Sequence, residues 1–135
     1  MALTLKISVN PKVYRHIRIN DNATLHTLHK IILDSLDFDD DHLHSFFMNN
    51  VAWDSAHEYG GVGVEINGCA GLSAKAKLSD FDLKKGSKFL EIFDFGDEWE
   101  FQISVLDTDD KKIAKPEIIK SVGEIEQYKD YDDDE

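Results

Sequence analysis

Apolar residues recur at every second position through Leu3, Leu5, Ile7 and Val9, with Thr4, Lys6 and Ser8 between them. The same period continues through Val13, Arg15, Ile17 and Ile19, alternating with Tyr14, His16 and Arg18. Such alternation turns one face of each strand toward a core, and the intervening Asn10-Pro11-Lys12 predicts a hairpin. After Asn20-Asp21-Asn22, Thr24 is placed to cap a helix. Its apolar positions Leu25, Leu28, Ile32 and Leu36 recur at three- and four-residue spacing, with Ile31 widening the stripe. His29 falls one turn from Leu25 and therefore on or beside the buried stripe. Asp39 to Asp41 end this pattern before a strand in which His42, His44, Phe46 and Met48 alternate with Leu43, Ser45 and Phe47. Asn49-Asn50 then turns the chain toward Val51-Ala52-Trp53.

Residues 54–77 scatter Gly60, Gly61, Gly63, Gly68 and Gly71 among small and polar residues, with room for a strand over Val62 to Ile66. They carry no Gly-Lys-Ser/Thr ending and so do not read as a phosphate loop. Leu78 to Gly86 predicts a short capped helical turn. Phe89 to Val105 reads as two strands folded on a two-residue turn, Gly96-Asp97. Pairing outward sets Phe95 against Glu98, Asp94 against Trp99, Ile92 against Phe101 and Leu90 against Ile103. In that register Asp94 shares the apolar face of Leu90, Ile92, Trp99, Phe101 and Ile103, while Phe93 and Phe95 lie opposite with Glu98 and Glu100. Pro116 to Ile119 reads as a weak extended segment, and Gly123 to Tyr131 leaves space for one helical turn. One amphipathic helix with several strands predicts a two-layer α+β domain, its sheet mostly antiparallel, with a β-grasp-like or α+β-roll arrangement.

A chain of 135 residues is about one domain long and buries a core without staples. The expected organisation is a single domain over 1–129 followed by a solvated acidic tail, 130–135, whose Asp-Tyr-Asp-Asp-Asp-Glu run lacks aliphatic anchors. The lone cysteine, Cys69, forms no internal disulfide, and no long apolar segment follows the first methionine, so a cytoplasmic protein is expected. The net charge of −12 repels phosphates and anionic lipid, which weighs against a nucleic-acid or membrane partner. Tyr14-Arg15-His16-Ile17-Arg18 is the small basic stretch near the N-terminus.

Thr24-Leu25, Leu28-His29, the acidic run before His42-Leu43-His44, Leu78-Ser79-Asp80 and above all Asp94-Phe95-Gly96-Asp97-Glu98-Trp99-Glu100 follow one another in an order that resembles the plasmid pRiA4b ORF-3-like family. The segment from Pro116 through Gly123 to Gln127-Tyr128 is similar to the family's closing segment. The resemblance implies an α+β roll-like domain of bacterial or archaeal origin with no established biochemical activity. Phe101 stands where many members carry histidine, and Phe38 where a tryptophan is common. The cysteines of a terminal metal knuckle, found in some relatives, are missing.

His42 and His44 fall on one side of the expected strand, roughly 7 Å apart, a spacing that suits two imidazoles converging on one ligand. A third ligand would come from His29, Asp94 or Asp97. The metal alternative is thus His29, His42, His44 and Asp94, set against a reading with no metal and no cofactor in which His42 caps the acidic turn and His44 sits in a polar seam. Asp94 can accept bonds from turn amides, a histidine or Arg15, and His44, Asp94 and Asp97 are the candidates for acid-base catalysis. His44 and Asp94 are expected in one polar cluster, with His29 entering from the helix. Trp99 reads as a core anchor, and Phe93 with Phe95 as apolar area rimmed by acids, a contact surface for a basic or mixed partner. The binding candidates are His29, His42, His44, Phe93, Phe95 and Trp99. Cys69 in Asn67-Gly68-Cys69-Ala70-Gly71 has no neighbouring histidine and no serine lies in a nucleophile elbow. The expectation is a non-enzymatic binding or adaptor module; the alternatives are a hydrolase built on the His/Asp cluster and, more weakly, a nucleic-acid accessory protein.

Overall fold

The computed structural model describes residues 1–61 and 75–127. Strands β1 (Ala2–Asn10) and β2 (Val13–Asn20) form the first hairpin, followed by helix α1 (Leu25–Leu36) and strand β3 (His44–Phe47). A short strand β4 (Glu58–Gly60), then β5 (Lys88–Phe93), β6 (Trp99–Asp109) and β7 (Glu117–Val122) complete one sheet in the order β4-β3-β5-β6-β1-β2-β7. Every pairing is antiparallel, and the class is α+β, a sheet carrying a single α-helix among the described residues.

The helix begins where Thr24 accepts the Thr27 amide at 3.1 Å and ends at Asp37, in the left-handed region with φ 58°. Leu25, Leu28, His29, Ile32, Leu33 and Leu36 are its buried positions. Ile31 is only half-buried, and Leu33 instead widens the stripe. That stripe packs in one core with Leu3, Leu5 and Ile7 of β1, Ile17 and Ile19 of β2, Phe46 of β3, Phe89 and Phe93 of β5, and Phe101, Ile103 and Val105 of β6. Arg15, which occupies an apolar phase of β2, is buried. Its guanidinium donates to the Ser35 carbonyl at 2.8 Å, near the end of α1, and to the Val122 carbonyl at 2.9 Å, tying helix and β7 to β2.

The β5–β6 register differs from the expected one by a single residue. Phe93 pairs with Trp99, Glu91 with Phe101, Leu90 with Gln102 and Phe89 with Ile103. The connection is not a two-residue turn; it spans 94–98, opened by Asp94 (φ 61°) and closed by Glu98 (φ 52°), both left-handed. The Glu98 amide donates to the Asp94 carbonyl across it. Because side chains alternate, the slip inverts all of β5. Phe89, Glu91 and Phe93 face the helix, whereas Leu90 and Ile92 join Phe47 in a small cluster on the other side.

Other expectations also change. The third strand starts at His44, so His42 precedes it, and Gly123 to Gln127 contains no helical turn. The glycines from Gly63 to Gly71, the expected strand at Val62 to Ile66, Cys69 and the acidic tail lie outside the described residues.

Phe101 is fully buried between Phe93 and Phe38, with ring centroids 6.5 and 6.2 Å away, while Trp99 is only half-buried against Phe38. Phe101→Ala should cost about 3–5 kcal/mol and Trp99→Ala less, because the cost follows the volume left empty in a core that cannot collapse. Urea midpoints for the two variants check the ranking, and a Trp99→Ala loss exceeding that of Phe101→Ala would contradict it.

Candidate functional site

Three elements bring ionisable side chains together beneath α1. His29 is carried on the buried stripe of the helix, Glu91 on the inward phase of β5, and His44 at the start of β3 beside Phe93. The acidic segment after the helix adds Asp40. His29 Nδ1 lies 2.5 Å from Glu91 Oε2, and Nε2 lies 2.8 Å from Asp40 Oδ1, so both ring nitrogens face carboxylates. Asp40 Oδ2 also takes the Lys30 ammonium at 2.9 Å. The ring of His44 stacks on that of His29 at 3.5 Å with 4° between the planes. Gly61 closes over this ring, where a Cβ would come within 2.3 Å of a His44 ring atom.

Burial alone would lower the pKa of His29, but the hydrogen bond and charge of Glu91, then those of Asp40, outweigh it and raise it. Burial raises Glu91, against the opposing pull of His29. The short Nδ1–Oε2 contact couples the two groups, so they titrate as a pair. Burial would raise Asp40, yet hydrogen bonds from Lys30 and His29 bring it down to about 2. His44 is depressed to about 3, first by burial and then by the charge on His29. Buried His44 Nε2 and Glu91 Oε1 have no hydrogen-bond partner among the described residues. His29, His44 and Glu91 each offer a ligand atom within 4.8 Å of the others.

A second group forms at the 94–98 connection. Asp94 Oδ1 accepts the Gly96 and Asp97 amides at 3.2 and 3.3 Å, its own amide donates to Leu43 at 2.8 Å, and its Oδ2 lies 3.4 Å from His42 Nε2. On the outer side, Trp53 donates from Nε1 to Glu98 Oε1 at 3.0 Å, and its ring meets Phe95 at 5.0 Å and Phe47 at 5.5 Å. Trp53 nevertheless remains 45% exposed. Asn50, Trp53, Asp94 and Glu98 are four of the non-glycine residues with positive φ, all in the two loops that meet here.

Several expected placements change with the register. Asp94 does not share the face of Trp99, Phe101 and Ile103; it sits in the connection, buried over the turn amides it caps. Phe93 is not on the outer surface but fully buried, its ring 5.7 Å from His29. Phe95 does lie outward, under Trp53. His42 and His44 do not share a strand face, since His42 lies before β3 between Asp41 and Asp94. Asp97 is exposed, and Arg15 bonds to backbone carbonyls instead of Asp94. The His44 ring stacks on His29 and meets Phe46 edge-on, whereas Asp94 takes contacts from His42 and the turn. Trp99 packs edge-on to Phe38 at 5.0 Å, with Nε1 buried and without a hydrogen-bond partner among the described residues. Glu91, Asp40 and Trp53 are site residues that the hydrophobic pattern does not single out. For Glu91 the sequence carries a signal, because the β5 phase Phe89-Glu91-Phe93 is as aromatic as the phase Leu90-Ile92 is aliphatic.

The sequence matches the plasmid pRiA4b ORF-3-like protein family over residues 1–128, nearly its whole length. The chain belongs to that family. Its fold is similar to the crystal structure of a protein of unknown function from Methanosarcina mazei Go1, with a TM-score of 0.64 and 30% identity, covering 89% of this chain and 67% of that one. No curated protein matches the chain. Phe101 pairs directly with Glu91, so it lies beside the buried cluster. No helix among the described residues is long and apolar enough to cross a membrane.

The unfolded chain protonates His44 near its ordinary value of 6.5 and the folded one only near 3. Between those limits the unfolded state binds the extra proton, so stability falls as pH falls, by at most about 1.4 kcal/mol per pH unit for one proton. His29 acts oppositely: its raised value contributes stability that is complete below 6.5 and fades as pH rises through the folded value. His44→Phe keeps a ring over His29 and removes the titration. Urea unfolding between pH 7 and 4 should therefore show a shallower acid decline in the variant, and identical slopes would exclude His44 as the group responsible.

Proposed function

We propose that this protein is a non-enzymatic, cytoplasmic binding module that takes a basic segment of a partner protein on the Trp53–Phe95 surface. The observation that carries this reading is the half-exposed Trp53, held from behind by Phe47 and Phe95 and at its polar end by Glu98. Asp97 and Glu100, which flank Glu98 in sequence, are also exposed, and the chain as a whole carries a net charge of −12. An indole face rimmed by carboxylates suits a guanidinium or ammonium group, which gains from the ring quadrupole and from the acids together. Loops fixed in left-handed conformations present this ring with little left to order on binding. The buried cluster supports a binding role in preference to a hydrolase, since the imidazole of His29 and the carboxylate of Glu91 have no exposed surface for a substrate to touch.

A labelled peptide alternating arginine and leucine is a suitable probe. Its binding should weaken roughly fivefold or more in Trp53→Ala, equivalent to about 1 kcal/mol. Glu98→Gln should weaken it too, and added salt should weaken the parent complex. Equal affinity for a glutamate-leucine peptide, or indifference to Trp53→Ala in a folded protein, would overturn the reading.

A further inference from the structure

We propose that His29, His44 and Glu91 form a binding site for one divalent first-row transition-metal ion of the zinc type, apart from the outer surface around Trp53. Their ligand atoms lie within 4.8 Å of one another, close enough for small side-chain movements to bring them onto one ion at about 2.0–2.2 Å each. Two imidazoles and one carboxylate favour such an ion over magnesium or calcium, which take oxygen ligands.

Two further observations point to a ligand. Among the described residues, Glu91 Oε1 and His44 Nε2 are buried without hydrogen-bond partners, an unfavourable state for polar atoms that coordination would relieve. Asp40 accepts from His29 Nε2 and is itself held by Lys30, leaving Nδ1 directed at Glu91. A carboxylate on the far nitrogen of a ligating histidine is the outer-shell arrangement that fixes ring orientation and tautomer at metal sites. The ion would take the place of the proton between His29 Nδ1 and Glu91.

The stack of His29 on His44 sets a geometric condition. Ring lone pairs lie in the ring plane, and parallel rings 3.5 Å apart cannot both aim at one ion, so His44 must turn away from His29 as the metal enters. The grouped ligand atoms among the described residues belong to His29, His44 and Glu91, while His42 and Asp94 meet at the 94–98 connection.

The test is titration of chelator-treated protein with cobalt(II), followed by zinc. The expected result is one equivalent of cobalt with the visible d–d absorption of a low-coordinate site, displaced by zinc, and a zinc-dependent rise in melting temperature. Glu91→Gln preserves volume and His44→Phe preserves the stacked ring; each should lower affinity by about 100-fold or more, and Asp40→Asn by about 10–100-fold. His42→Ala should leave affinity unchanged. Absence of stoichiometric binding by the parent, or full binding by folded Glu91→Gln and His44→Phe, would overturn the site. Should those variants not fold, histidine-ring NMR of the parent decides: zinc-dependent shifts at His29 and His44 support the site, and shifts confined to His16, His26, His42 and His57 overturn it.

Discussion

The contact between His29 and Glu91 is the constraint around which this fold is arranged. A carboxylate at the centre of a sheet's inner face loses its hydration, and an imidazole from the covering helix replaces that water with a short hydrogen bond. The far nitrogen of the imidazole is held by Asp40, which ties in Lys30 and the segment after the helix. Sliding α1 along the sheet would strand Glu91 without a partner, a penalty larger than the pair's own net contribution. Leucines and isoleucines pack tolerantly; this pair does not, and it selects one docking position for the helix.

That contact rests on the connection between β5 and β6. Asp94 enters it in a left-handed conformation, accepts the Gly96 and Asp97 amides and donates its own amide to Leu43, so the strand ends at Phe93 and β6 resumes at Trp99. The Asp94-Phe95-Gly96-Asp97-Glu98-Trp99 string is a register-setting device. It is built from a carboxylate that caps its own turn. The same connection carries Glu98 outward to Trp53, so one loop fixes the buried carboxylate on one face and the acidic rim on the other.

The two faces of β5 consequently have different chemistry. Toward the helix lie a paired charge and stacked imidazoles shut away from solvent; outward lie Leu90 and Ile92 beside Phe47, with Phe95 and Trp53 over them. Inside, a polar group either finds a partner or is costly, which suits a small ion. Outside, an exposed indole among acids suits a cationic side chain.

The sequence by itself determined the elements whose causes are local. The first hairpin followed from strict alternation around Asn10-Pro11-Lys12, and α1 from Thr24 and the leucine spacing that also set His29 against the core. Family membership followed from a motif spread along nearly the whole chain. Only the tertiary structure decided the phase of β5. Both of its faces are covered, so Phe89-Glu91-Phe93 and Leu90-Ile92 satisfy period two equally well, and a five-residue connection chose between them. Glu91 is distant in sequence from His29, Asp40 and His44 and meets them because a helix lies across the sheet, and Trp53 gained its place from a loop contact with Glu98. No local pattern encodes those meetings, since the free energy that fixes them exists only after the two layers have packed.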